Sequence, residues 1–189
     1  MKLNIYIISH PIIQKLSTQI IYSSSQENPI YNYNYNQLSI LLIYEVARKW
    51  TKLHNIYIKY LDFIKETHDF DINESYIVFA NLLECSNLIS EVKLLLPKIN
   101  IQHINLNGTS NKYVYNSIIN IIKTQKIIII EKFLNNYSIL KLLDYLLLNT
   151  NTNIHQIKLI CITCNNNVLE KIGTKYPSLD IYTTKIYNC

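Results

Sequence analysis

The chain has 189 residues, 49% hydrophobic and 16% charged, which suffices for one sizeable core and excludes an intrinsically disordered chain. No apolar run approaches the roughly 18 residues that a membrane helix requires. A net charge of +5 carried by scattered lysines reads as a solvated surface, so neither a membrane nor nucleic acid is an expected partner.

Residues 1–189 are read as a single domain without a cleaved targeting segment. The composition is skewed towards 35 Ile, 24 Asn and 16 Tyr, while Gly occurs only at Gly108 and Gly173, against about 13 at average usage. Ile, Asn, Lys and Tyr have A+T-rich codons, which points to an A+T-rich genome such as that of an organelle, endosymbiont or parasite. The shortage of glycine bears on chemistry, because backbone that embraces a phosphate usually needs φ > 0 or a missing Cβ.

Taken in chain order, Pro11 to Tyr22 has the apolar spacing of a first helix, entered through His10-Pro11. Residues 23–29 are a loop. Tyr31 to Asn36 alternates like a strand or forms the start of a helix, and Gln37 to Trp50 is a second helix. The alternating tyrosines could stack on single-stranded RNA, but compositional drift accounts for them as well. Ile56 to Phe63 suggests a small hairpin or hood. Tyr76–Ala80 is an apolar strand, Leu88–Leu96 a helix stopped by Pro97, and Ile99–Leu106 another strand. Ile127–Ile130, four β-branched residues in a row, is a strand covered on both faces. Leu140–Leu148 is an amphipathic helix with Asp144 on its polar side. Ile157–Ile162, Val168–Tyr176 and Asp180–Thr183 then read as strand, helix and strand. Such alternation predicts an α/β fold with a mainly parallel sheet flanked by helices, whose site lies at the carboxyl ends of the strands.

Cys161 and Cys164 form a C-x-x-C without a second pair. Three residues apart on a strand, they are expected on opposite faces as buried structural thiols. The four cysteines do not suggest a disulfide framework. The five histidines have no mutual ligand spacing and read as structural or exposed. Arg48 reads as a salt-bridged helix end. These residues propose no metal site and no catalytic residue.

Several segments together resemble uracil phosphoribosyltransferase. His10-Pro11-Ile12-Ile13, Lys15-Leu16 and Ile40 to Arg48 (ILLIYEVAR) are similar to the family's HPL…KL and MLLAYEATR patterns. Ile157 to Cys161 (IKLIC) and Tyr176 to Thr183 (YPSLDIYT) are similar to its IKLVC and HPDVDIYT segments. The resemblance covers residues 9–187 and implies a phosphoribosyltransferase-type fold with a small hood region. It also implies a glycosyltransferase reaction, in which uracil and phosphoribosyl pyrophosphate give UMP and pyrophosphate with Mg²⁺.

The departures fall on the residues that do this chemistry. The family's sugar-phosphate loop, DPMLATGGS, aligns with Glu131, Lys132, Phe133, Leu134, Asn135, Asn136, Tyr137 and Ser138. Glu131 keeps a carboxylate for the ribose hydroxyls, or is an acidic residue at an exposed strand end. Tyr137 and Ser138 replace the glycine pair, so the loop is expected to be vestigial. The polar residues there could still hold an anion at a helix N-terminus, or simply cap the helix. The two basic clamp residues align with Leu83 and Gly108, neither of which is basic, and Glu84 adds negative charge. The family's uracil-binding tail lies beyond its DIYT strand, and this sequence ends at Cys189.

The expectation is a homologue without transferase activity and with weak or no phosphoribosyl pyrophosphate binding. No cofactor is expected, except Mg²⁺ if the chain is active. A partner chain, such as a second copy in a homo-oligomer, could instead complete an active site. A non-enzymatic RNA- or nucleotide-binding regulator on the same fold is the other alternative. The composition and the start of the chain place it in the plastid stroma of a chloroplast, or otherwise in the cytoplasm.

Overall fold

A computed structural model describes residues 3–23, 29–104, 125–150 and 152–188. The chain opens with β1 (Asn4–Ile7), α1 (Pro11–Tyr22), α2 (Pro29–Ala47) and a hairpin of β2 (Leu53–Lys59) and β3 (Ile64–Phe70). It continues through β4 (Tyr76–Ala80), α3 (Leu82–Ile89), α4 (Val92–Leu95), β5 (Ile99–His103) and β6 (Lys126–Leu134). Then come α5 (Ser138–Asn149), β7 (Ile157–Asn165), α6 (Asn166–Lys175), β8 (Asp180–Thr183) and β9 (Lys185–Tyr187).

Among the described residues, seven strands form one sheet in the order β1-β8-β7-β6-β4-β5, with β9 also paired to β7, and every pairing in it is parallel. The central strands are buried on both faces, as their unbroken Ile and Val runs require. Val78, Ile128, Ile130 and Ile160 pack towards α1, α2 and α3. Phe79, Ile127, Ile129 and Leu159 pack towards α5 and α6 on the other side. His10 caps α1 by accepting the Ile12 N–H (3.3 Å), and Arg48 pairs with Glu45 (3.3 Å) at the end of α2.

The structure corrects several expectations. The Tyr31–Asn36 alternation is helical throughout. Tyr31 and Tyr35 lie four residues apart, fall on one face of α2 and are buried, while Tyr33 is exposed. The helix expected over Leu88–Leu96 is two shorter ones, broken at Ser90-Glu91. β1 and β9, which the hydrophobic pattern does not announce, add an edge strand and a short C-terminal strand. The strand expected over Ile99–Leu106 ends at His103, Ile104 is buried beyond it, and Asn105 and Leu106 lie outside the described residues.

Cys161 and Cys164 do not face opposite sides. The β6–β7 register lacks the Lys132–Ile162 pair, and beyond that interruption Leu134 and Cys164 turn to the same layer as Ile129 and Cys161. The two thiols are buried and free, and each donates to a backbone carbonyl at 3.8 Å, Cys161 to Tyr182 and Cys164 to Lys185.

The β2–β3 hairpin is longer than the expected Ile56–Phe63 and stands apart from the main sheet. Tyr57, Tyr60, Leu61, Phe63 and Ile64 are exposed on it, with the Tyr60 and Phe63 rings stacked at 4.7 Å. Among the described residues no helix is long and apolar enough to cross a membrane.

Candidate functional site

The carboxyl ends of β4, β6 and β7 meet where a parallel α/β sheet places its site. The stretch that the family alignment makes a phosphate loop is mostly strand. Glu131 to Leu134 belong to β6, and Phe133 and Leu134 pair with Thr163 and Cys164. Only Asn135, Asn136 and Tyr137 turn before α5 begins at Ser138. The Asn135 N–H is held by the Phe133 carbonyl at 3.0 Å.

A backbone cradle for phosphate alternates right- and left-handed residues so that successive N–H groups converge. Among the described residues the only positive φ is at Lys98, far from this turn in sequence. Tyr137 sits at φ −76°, ψ −1° as the residue before α5 and supplies no side-chain cap. Its ring lies under the Lys171 ammonium, 3.7 Å from the ring centroid, so the nearby cation of α6 faces an aromatic ring.

The start of α3, where the first clamp residue would stand, has its donors already engaged. The Leu82 N–H reaches His103 Nδ1 (3.1 Å) and the Leu83 N–H reaches Asn81 Oδ1 (3.3 Å). The Glu84 and Cys85 N–H groups bond the Asn81 carbonyl at 3.1 and 2.8 Å. Asn81 directly before an apolar run is a legible N-cap signal, whereas the His103 contact crosses from β5 and no local pattern could reveal it. The Leu83 side chain is 83% exposed and carries no charge. Gly108, the second clamp position, lies outside the described residues.

Two carboxyl groups, Glu84 and Glu131, stand close together at this end. Desolvation raises the Glu131 carboxyl to about 7, with Glu84 adding repulsion, so Glu131 is half protonated near neutrality. Burial, and then Glu131, push the Cys85 thiol up to about 12. Lys132 does not balance these acids by an ion pair, since its side chain turns instead to the rings of Tyr31, Tyr35 and Phe133. Among the described residues no group of three His, Cys, Asp or Glu could hold a metal ion, and burial holds the Glu131 carboxyl partly protonated near neutrality.

The family model described as uracil phosphoribosyltransferase matches residues 7–188. A uracil phosphoribosyltransferase homolog of Porphyra purpurea is 27% identical over 191 residues, covering 98% of this chain and 89% of its own. A homolog of Pyropia yezoensis is 28% identical with the same coverage. Among solved structures, the AQ2163 protein of Aquifex aeolicus superposes with a TM-score of 0.71 at 12% identity, covering 97% of this chain and 88% of that one. Orotate phosphoribosyltransferase of Mycobacterium tuberculosis, solved with 5-phospho-α-D-ribosyl 1-diphosphate, superposes with a TM-score of 0.50 at 9% identity, covering 96% and 95%. The fold is therefore of the phosphoribosyltransferase type, and the chain belongs to the uracil phosphoribosyltransferase family.

Proposed function

We propose that this chain keeps the family's fold without its transfer reaction. One observation carries the reading: the segment that would cradle the 5′-phosphate continues as strand β6 and turns into α5 without a left-handed residue. Transfer of a phosphoribosyl group relies on positioning and electrostatic stabilisation. Here the turn lacks left-handed backbone, the first clamp position is Leu83, and Glu84, with the part-ionised Glu131, puts negative charge where pyrophosphate would lie. Weak or no binding of phosphoribosyl pyrophosphate follows, and Mg²⁺ has no role without it.

A homo-oligomer is part of the proposal. A lone two-stranded hairpin is marginal in water, and the exposed apolar side chains on β2–β3 favour a second copy as cover. This patch also supports the second reading, a transferase completed by a partner chain. The composition and the red-algal relatives support a location in the plastid.

Both readings meet in one experiment. The purified chain is sized by light scattering and then assayed with uracil, phosphoribosyl pyrophosphate and Mg²⁺. The expected result is a particle of at least two chains that forms no UMP and releases no pyrophosphate. UMP formed only by the assembled particle favours the partner-completed enzyme, and a monomer removes that alternative.

A further inference from the structure

Two lysines, Lys132 and Lys158, are buried between the layers and a third, Lys126, is mostly covered; Lys126 and Lys158 meet oxygen. Lys126 Nζ lies 2.7 Å from both Glu74 carboxylate oxygens and 2.5 Å from the Trp50 carbonyl. Lys158 Nζ donates to the Tyr182 hydroxyl at 3.1 Å. Lys132 is different. It is only 8% exposed, and its ammonium lies 5.7, 5.5 and 5.2 Å from the ring centroids of Tyr31, Tyr35 and Phe133. The ion pairs among the described residues are Arg48–Glu45, Lys126–Glu74 and Lys175–Asp144, so Lys132 joins none. Its ammonium makes no hydrogen bond to a described residue but is not sealed from solvent, since the sealed side-chain atoms without a partner among those residues are Gln102 Oε1 and Tyr187 Oη. Ring faces offset part of the cost of its partial desolvation, and an anionic oxygen in the cavity would complete its shell.

Lys132 opens into a cavity of about 410 Å³ between α2, α3 and the end of β6. Tyr31, Tyr35, Leu83 and Phe133 give it apolar walls, while Glu84 and Asn87 add polar groups. The walls are tied in place. Tyr35 donates its hydroxyl to the Glu84 carbonyl (3.3 Å), and Asn87 donates its amide to Asn32 Oδ1 (2.9 Å). The volume falls within the range of small-molecule sites, and apolar walls around one buried charge suit a flat body with a single ionised group. Glu84 in the wall opposes a second negative charge and so disfavours phosphate.

We propose that this cavity binds a small organic monocarboxylate with a flat apolar body, its carboxylate set on Lys132 Nζ between the Tyr31, Tyr35 and Phe133 rings. The cavity shares Leu83, Glu84, Lys132 and Phe133 with the candidate transferase site, but it needs neither the turn at 135–137 nor Mg²⁺.

Calorimetric titration of the full chain with benzoate tests it, with benzyl alcohol and inorganic phosphate as controls. Benzoate is expected to bind saturably at one site, and both controls at least tenfold more weakly. Lys132→Met is expected to lose at least tenfold in benzoate affinity, with a thermal midpoint equal to or above that of the unsubstituted chain, because an ammonium without an acceptor has been removed. Glu84→Gln is expected to retain benzoate and to gain phosphate. No benzoate heat, equal binding of benzoate and benzyl alcohol, or equal binding of benzoate and phosphate overturns the proposal. So does unchanged benzoate affinity in Lys132→Met. If Lys132→Met does not fold, the comparison of the three probes on the unsubstituted chain decides.

Discussion

Lys126→Met is expected to lower the free energy of unfolding at neutral pH by about 3–5 kcal/mol, because it strands a buried carboxylate. Glu74 is 5% exposed and receives both oxygens' contacts from Lys126. The Tyr76 hydroxyl, at 2.6 Å from Glu74 Oε2, would be the main donor left. The same ammonium holds the Trp50 carbonyl and lies 5.4 and 5.5 Å from the Trp50 and Tyr76 rings. This cluster joins the end of α2 to the amino ends of β4 and β6, opposite the candidate site. Urea unfolding checks the value, and the double variant Lys126→Met, Glu74→Gln should recover much of the loss. If the single variant costs less than about 1 kcal/mol, the cluster is not the latch its geometry describes.

Glu131→Gln is expected to act in the other direction, stabilising the chain above pH 7. The folded carboxyl is raised to about 7 from an ordinary value of 4.5, so the folded state holds its proton more tightly than the unfolded state. Stability from this group is fully present below about pH 4.5 and is lost as pH rises through about 7. The gap corresponds to about 2–3 kcal/mol once solvent at the part-exposed edge is allowed for. Gln removes the ionisation, so the two proteins should converge in acid and diverge towards neutrality. Denaturant midpoints measured across that range check it, and parallel curves would mean that Glu131 is as solvated as an ordinary surface acid. Charge at Glu131 is therefore expected to weaken the fold.

Much of this architecture was legible in sequence where burial is complete. Ile127–Ile130 and Tyr76–Ala80 have no polar interruption because α-helices cover both faces of their strands. Legibility fails where two periods coincide. Tyr31 and Tyr35 satisfy an alternating pattern and a helical i, i+4 pattern equally, and packing against α3 and Lys132 decides for the helix. β1 is an exposed edge whose pairing with β8 joins residues about 176 positions apart, which no local window contains. The C-x-x-C misled for a related reason, since strict pleating was assumed and the interrupted β6–β7 register breaks it. At the candidate site, the missing glycines suggest a lost cradle. They did not reveal that β6 would fill the space by continuing its pairing with β7, nor that Lys132 would turn to the α2 layer.

The central claim is that a phosphoribosyltransferase fold persists here without a grip on phosphoribosyl pyrophosphate. Calorimetric titration of the full chain with that compound and Mg²⁺ tests it most directly. The account predicts no saturable heat and no thermal stabilisation at millimolar ligand. Saturable binding at one site per chain would contradict it, because the turn at 135–137 would then grip phosphate without the left-handed backbone that such a cradle requires.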